Sequence, residues 1–194
     1  TFKKLDEDKD VVKFDFIKDE FDEKADLVMT SYVLSEMNEE GRMSSVKKMI
    51  NASNRYVLLI DTGTPRTYEN FMKIKRMVPE YGWKVIAPCM TEKCGLKNDY
   101  CQFYARVERS SLMKQAKAGD LSYEDEKYFY LLISKENVDF VGKRVIRRPI
   151  IKPNNIELIT CSNQGVNKEN FTKKNKELFK KAKKTKINDV LNEG

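Results

Sequence analysis

Apolar and polar positions follow two rhythms along this chain. Residues 25–37, ADLVMTSYVLSEM, hold an apolar stretch from Leu27 to Thr30 and turn polar at Ser31. That pattern predicts a buried strand, a polar-capped turn and a helix running to about Ile50. Residues 55–78, RYVLLIDTGTPRTYENFMKIKRMV, repeat it. Tyr56 to Ile60 form an unbroken apolar run, as in a strand covered on both faces. Asp61, Thr62 and Gly63 make the turn, Thr64 is placed to cap the helix and Pro65 to open it. Phe71, Ile74, Met77 and Val78 give that helix its buried stripe. Strand, short turn, helix, twice over, predicts an α/β domain with a parallel sheet.

Further on the elements shorten. Lys84–Pro88 read as a short strand, Gln102–Glu108 as an alternating one, Ser110–Lys117 as a short helix and YFYLLIS (128–134) as a strong strand. Val145–Ile151 and Ile156–Cys161 are weaker strands around the turn-forming Pro153, Asn154 and Asn155. Asn167–Lys186 read as a basic helix whose apolar contacts are Phe171, Leu178 and Phe179. Trp83 and Phe103 are assigned to the core. No internal repeat is visible. The longest apolar run, YVLLI, is far short of the roughly 18 residues of a membrane span, so no membrane partner is expected. The opening TFKKLDEDKD is not a targeting peptide and carries no initiator Met, and the chain is expected to be a piece of a longer or split protein.

Charge changes this picture in one place. The net charge is +7 over 194 residues. Residues 1–142 are close to neutral, whereas residues 143–194 hold fourteen basic and five acidic side chains, a net +9. A basic tail on a near-neutral body points to a polyanion, and nucleic-acid phosphate is the usual one. Lys173, Lys174, Lys180, Lys181, Lys183, Lys184 and Lys186 are the candidate phosphate contacts. A solvated basic helix is the plain alternative.

The chain has four cysteines and no histidine. Cys89, Cys94, Cys101 and Cys161 are spaced C-x4-C-x6-C-x59-C. Disulfides would need an oxidising compartment, which nothing here indicates. The polar neighbours Thr91, Glu92, Lys93, Lys97, Asn98 and Asp99 argue against buried free thiols. A structural zinc ion is open, although neither close pair has the usual tight knuckle spacing. An iron–sulfur cluster tolerates looser spacing and suits all-cysteine ligation. Spacing alone leaves cluster and zinc open.

The two strand–turn–helix units resemble the second half of a class I methyltransferase, a Rossmann-type fold. In open α/β sheets ligands sit at the carboxyl ends of strands, which puts Ser31, Glu36, Asp61, Gly63 and Thr64 at the edge of a donor site. No glycine-rich first turn exists in this chain, so binding of S-adenosylmethionine is expected to be weak or absent. The motifs APC-x4-C-x6-C-x-F-x2-RVERSS and GDLSYEDEK-x2-YL, after a strand ending in GTPR, resemble the methyltransferase-like small-subunit ribosomal protein family, which includes mitochondrial small-subunit assembly proteins and bacterial relatives.

That resemblance covers residues 25–165. It implies a 4Fe-4S cluster on Cys89, Cys94, Cys101 and Cys161, a methyltransferase-like domain over 1–142, and a basic segment, 143–194, that supplies the fourth cysteine. It further implies a component or assembly factor of the mitochondrial small ribosomal subunit, in the matrix, with small-subunit rRNA and mitochondrial ribosomal proteins as partners. A second polypeptide carrying the N-terminal half of the fold is a further expected partner. The chain departs from the family turn at Asp61-Thr62, where Glu-Pro is usual. An active S-adenosylmethionine-dependent rRNA methyltransferase and a zinc-stabilised RNA-binding module are the rival readings. Arg106, Arg109, Ser110 and Ser111 are expected either at RNA or the surroundings of the cluster, or in a strand-end salt-bridge network with Glu108. Tyr123, Glu124, Asp125 and Glu126 are expected as an acidic helix cap or as partners of the two arginines.

Overall fold

Strands β1 (Ala25–Ser31) and β2 (Ser53–Thr62) run parallel, joined by helix α1 (Glu39–Ala52). The computed structural model describes residues 13, 15, 18–19, 22–89, 91, 94–96, 99–116, 121–138 and 140–191. The expected helix end at Lys117, and Glu92, Lys93, Lys97 and Asn98, lie outside them. A single 3-10 turn, Leu34–Glu36, precedes α1, and the Asn38 side chain caps α1 by accepting from the Gly41 N–H at 2.8 Å. Helix α2 (Pro65–Met77) opens on Pro65, with Thr64 Oγ1 accepting from the Thr67 N–H at 3.2 Å, as its sequence predicts.

The sheet is mixed rather than parallel. After β3 (Lys84–Ala87), β4 (Phe103–Glu108) and the short α3 (Ser111–Ala116), strand β5 (Tyr123–Ser134) inserts between β2 and β3, antiparallel to both. The order is β1-β2-β5-β3, with β4 on the same edge of β5 as β3. Local apolar patterning cannot reveal this, because strand direction is set by pairing. β5 also begins five residues before the expected Tyr128. The acidic stretch Glu124–Glu126 is therefore strand and not a helix cap, and it pairs with β4.

Register decides which face is the core. Val57, Leu59 and Asp61 of β2 lie opposite Ile133, Leu131 and Phe129 of β5, and all six are fully buried. Helices α1 and α2 touch each other over this face. Phe129 is its centre, with the rings of Tyr68 at 5.5 Å and Phe71 at 5.8 Å edge-on to it. Trp83 and Phe103 are buried as expected. The opposite face carries Leu58, Ile60, Tyr128 and Tyr130, half-buried, and the exposed Leu27 and Met29. β2 is thus fully covered on one face only, contrary to its continuous apolar run.

Residues 143–191 form a second, antiparallel sheet. β6 (Lys143–Val145) and β7 (Ile150–Ile151) share one edge of β8 (Asn155–Ser162), β9 (Gly165–Thr172) takes the other, and β10 (Val190–Leu191) pairs with β6. The expected long basic helix is split. Residues 165–172 are β9, because Val166 and Phe171 pair across β8 with Cys161 and Ile156. Only α4 (Lys176–Lys184) is helical. It packs Phe179 and Ala182 on Val145, Ile156 and Leu158.

Gly63 marks where the end of β2 comes closest to β5. A Cβ there would lie 2.8 Å from the Tyr128 backbone nitrogen and 2.9 Å from the Lys127 carbonyl carbon. Backbone cannot swing aside as a side chain can. Gly63→Ala is expected to cost about 1–3 kcal/mol by overpacking, read as a lower urea midpoint with an unchanged slope.

Candidate metal centre

The cysteine loop is an excursion from a sheet edge. β3 ends with Ala87 opposite Leu132, and β4 resumes on the same edge with Phe103 opposite Tyr128. The described residues between these points, 88–89, 91, 94–96 and 99–102, lie outside the sheet and include Cys89, Cys94 and Cys101. Three side chains from elsewhere hold the loop. Lys75 of α2 donates to the Thr91 carbonyl. The Tyr68 hydroxyl, also on α2, donates to Cys94 Sγ at 3.0 Å. Arg147 donates to the Tyr100 carbonyl at 2.9 Å and to the Asp99 carboxylate. Burial is the largest single influence on the Asp99 carboxyl and raises it, but the Arg147 hydrogen bond, the Tyr100 N–H and the Arg147 charge together outweigh it and hold Asp99 below its ordinary range.

Cys161 reaches the loop through the period-two alternation of β8. Ile156, Leu158 and Thr160 are buried, the first two against the α4 side. Ile159 and Cys161 point the other way and join the core of the first sheet. Directly opposite Cys161 are Arg144 on β6 and Val166 on β9, so all three share that face. All four cysteines, with Tyr68, Lys75, Arg144 and Val166, line one small cavity. Among the described residues no Asp or Glu lines it.

The thiols are less exposed than their polar neighbours predict. Cys101 and Cys161 are buried, at 8% and 7% exposure, and Cys89 and Cys94 are half-buried. The loop turns its sulfurs inward. Burial pushes the Cys89 thiol up, and pushes Cys101 up to about 11, against the opposing pull of the nearby cations, Lys75 first for Cys89 and Arg144 for Cys101. Burial and then the hydrogen bond to Cys94 push the Tyr68 phenol up as well, so it remains a donor.

Arg144 is the unusual charge. It is 7% exposed and pairs with no carboxylate among the described residues. Its guanidinium lies 4.8 Å from the Phe103 ring centroid, its Nη2 is 4.0 Å from Cys101 Sγ, and its buried Nε has no partner among the described residues. A buried cation without an anion costs several kcal/mol. Neutral thiols leave Arg144 uncompensated, whereas thiolates on a metal would supply the missing negative charge. The donor set and its surroundings therefore fit an all-thiolate metal group. Among the described residues no three Cys, Asp or Glu side chains are gathered tightly enough for a single ion.

The other predicted residues are placed as follows. Ser31, Glu36, Asp61, Gly63 and Thr64 come together at the ends of β1 and β2. There the two Asp61 oxygens accept from the N–H groups of Ser35 (2.9 Å) and Thr62 (2.7 Å), Thr64 caps α2, and Glu36 is exposed. Lys173 and Lys174 sit in the turn before α4. Lys180, Lys181, Lys183 and Lys184 are on α4, and Lys186 follows it. All seven are exposed, and none forms an ion pair among the described residues. Arg106 pairs with Asp125 at 2.9 Å and Arg109 with Glu124 at 3.1 Å, so the partners are the acidic residues of β5 expected to meet them and not Glu108. Ser110 Oγ accepts from the Met113 N–H at 3.2 Å, at the start of α3. No sequence pattern marks Tyr68, Lys75, Arg144 or Arg147 as part of the centre. Only the strand register across β6 and β8 aims Arg144 at Cys161, and nothing local in KRV signals it.

Residues 3–192 match the family model described as mitochondrial small ribosomal subunit Rsm22. No curated protein is significantly similar to the chain.

With no metal bound, Cys101 holds its proton more tightly folded than unfolded, since its pKa rises from 9.0 to about 11. Its contribution is full below the unfolded value and is lost as pH rises through the folded one. Stability should therefore fall between about pH 9 and 11, by about 2–3 kcal/mol for this group. Urea unfolding across that range checks it: the slope with pH should shrink in Cys101→Ala and in metal-loaded protein.

Proposed function

Because the chain belongs to the mitochondrial small ribosomal subunit Rsm22 family, we propose that it is a structural or assembly component of that subunit. In this reading a 4Fe-4S cluster on Cys89, Cys94, Cys101 and Cys161 holds the fold together, and the basic C-terminal face binds small-subunit rRNA in the mitochondrial matrix. One observation carries it. Three cysteines of an edge-strand loop and one from a separate sheet meet around a cavity lined by a buried arginine that has no carboxylate partner among the described residues. A cluster bound there supplies iron–thiolate bonds that tie the loop to β8. Binding energy at such a site is also folding energy.

Other features support parts of the same reading. The α4 lysines are exposed while Phe179 and Ala182 anchor the helix, so the charged side of α4 is available to phosphates. Such contacts give affinity without base specificity. Asp61 and Gly63 are occupied by structural contacts, which supports a vestigial methyl-donor site and no catalysis in this chain. β1 pairs only with β2 among the described residues, and its own Leu27 and Met29 are exposed. That edge suits the N-terminal half of a methyltransferase-like fold on a second polypeptide. Mitochondrial ribosomal proteins are the remaining partners.

Protein purified without oxygen should be brown, with broad absorption near 400 nm and about four iron and four sulfide per chain, as cysteine-ligated clusters require. Stoichiometric zinc without sulfide would replace the cluster with a structural ion. Cys101→Ser should lose the metal and lower the melting temperature.

The rRNA arm is tested with substitutions rather than truncation, because removing residues from 167 onward would delete most of β9, which pairs along all of β8. Replacing Lys180, Lys181, Lys183 and Lys184 with Gln should flatten the log–log salt dependence of RNA binding by up to about 3, at roughly 0.7–0.9 per phosphate contact. Different RNAs should weaken by similar factors. Unchanged affinity and slope would reassign α4 to a protein contact.

A further inference from the structure

Two groups from different elements approach cysteine sulfurs in the cavity without being ligands. The Tyr68 hydroxyl donates to Cys94 Sγ at 3.0 Å from α2. The Arg144 guanidinium approaches Cys101 Sγ at 4.0 Å from β6 and keeps a second donor, Nε, without a partner among the described residues. We propose that Tyr68 and Arg144 are positioning residues that set the reduction potential of the cluster and slow its loss; the inference rests on the cluster reading above. Neither was placed at the centre by its sequence context, and neither is needed to count the ligands.

The physical argument is electrostatic. A thiolate that accepts a hydrogen bond gives less electron density to iron, and hydrogen bonds to the sulfurs are among the factors that set cluster potentials. A one-electron reduction adds a negative charge to the site. A fixed cation 7% exposed to water, with no carboxylate among the described residues to offset it, favours that added charge far more than a solvated cation could. Both groups thus favour the reduced cluster and raise the potential. Both also compete with protons for the sulfur lone pairs, and protonation of a thiolate is a route to ligand loss.

Both groups are rigidly placed. Tyr68 is 8% exposed, with its ring edge-on to Phe129 at 5.5 Å, so Tyr68→Phe removes the hydroxyl and leaves the packing. Arg144 lies over the Phe103 ring and directly opposite Cys161 in the ladder. Arg144→Lys retains the charge and loses the planar fork, while Arg144→Met loses both.

The test is a redox titration of the anaerobically purified full chain with dithionite, alongside iron release to a chelator. Arg144→Met should shift the reduction equilibrium about tenfold toward the oxidised form, which is about 59 mV lower for one electron. Tyr68→Phe should shift it the same way by about threefold. Both should release iron several times faster, and Arg144→Lys should recover part of the loss. A wild-type chain with a cluster whose potential moves in neither Tyr68→Phe nor Arg144→Lys overturns this inference and leaves the cluster reading standing. That pair carries the test if Arg144→Met does not fold. A wild-type chain holding zinc or no metal overturns both readings together.

Discussion

β8 has almost no solvent-facing side, and the rest of the molecule is organised around that fact. Its alternate residues enter two different cores. Ile156 and Leu158 pack under α4, while Ile159 and Cys161 join the helix-covered core of the first sheet. A slip of one residue would exchange the two sets. Cys161 would then face α4, Thr160 would face the thiols, and Arg144 would lose its neighbour. The geometry of the centre is therefore specified by apolar packing at some distance from it, through strand register rather than through any contact between the cysteines.

What the sequence made legible follows from which signals are local. Caps and turn residues act over three or four positions, so Thr64, Pro65 and the stripe of α2 could be read directly. The cysteine spacing was also visible, and the structure brings those four residues together. Strand direction was not legible, because β5 lies between β2 and β3 by a long-range pairing that no local pattern encodes. The helix expected over 167–186 failed for a related reason. Its lysines and asparagines carry little strand propensity, but β9 is held by pairing with β8 and by Phe171 packing. The cations of the centre were hidden for the same cause, since Arg144 gains its meaning only from the residue across the ladder.

The charge distribution separates two kinds of basic side chain. Arg144 and Arg147 are turned inward, one among the thiols and one clamping Asp99 and Tyr100. The lysines of α4 and its flanks are turned outward. Net charge alone cannot distinguish these roles, although both kinds fall in the same basic segment of the chain. Arginine at the inward positions and lysine at the outward ones agrees with their chemistry, since a planar guanidinium makes several directed bonds while a hydrated ammonium suits solvent and phosphate.

The loop that carries three of the four cysteines begins and ends on one edge of one strand. β3 stops at the partner of Leu132 and β4 starts at the partner of Tyr128, so only Phe129, Tyr130 and Leu131 of β5 separate the two anchor points. A bridge of about three residues in place of 88–102 would turn β3 and β4 into one continuous strand with every other pairing of this sheet unchanged. The loop is in that sense a detachable module grafted onto an otherwise complete sheet. Its loss would leave that pairing intact, yet it would take three of the four thiols from the centre and the packing of Cys101 and Leu96 from the α/β core.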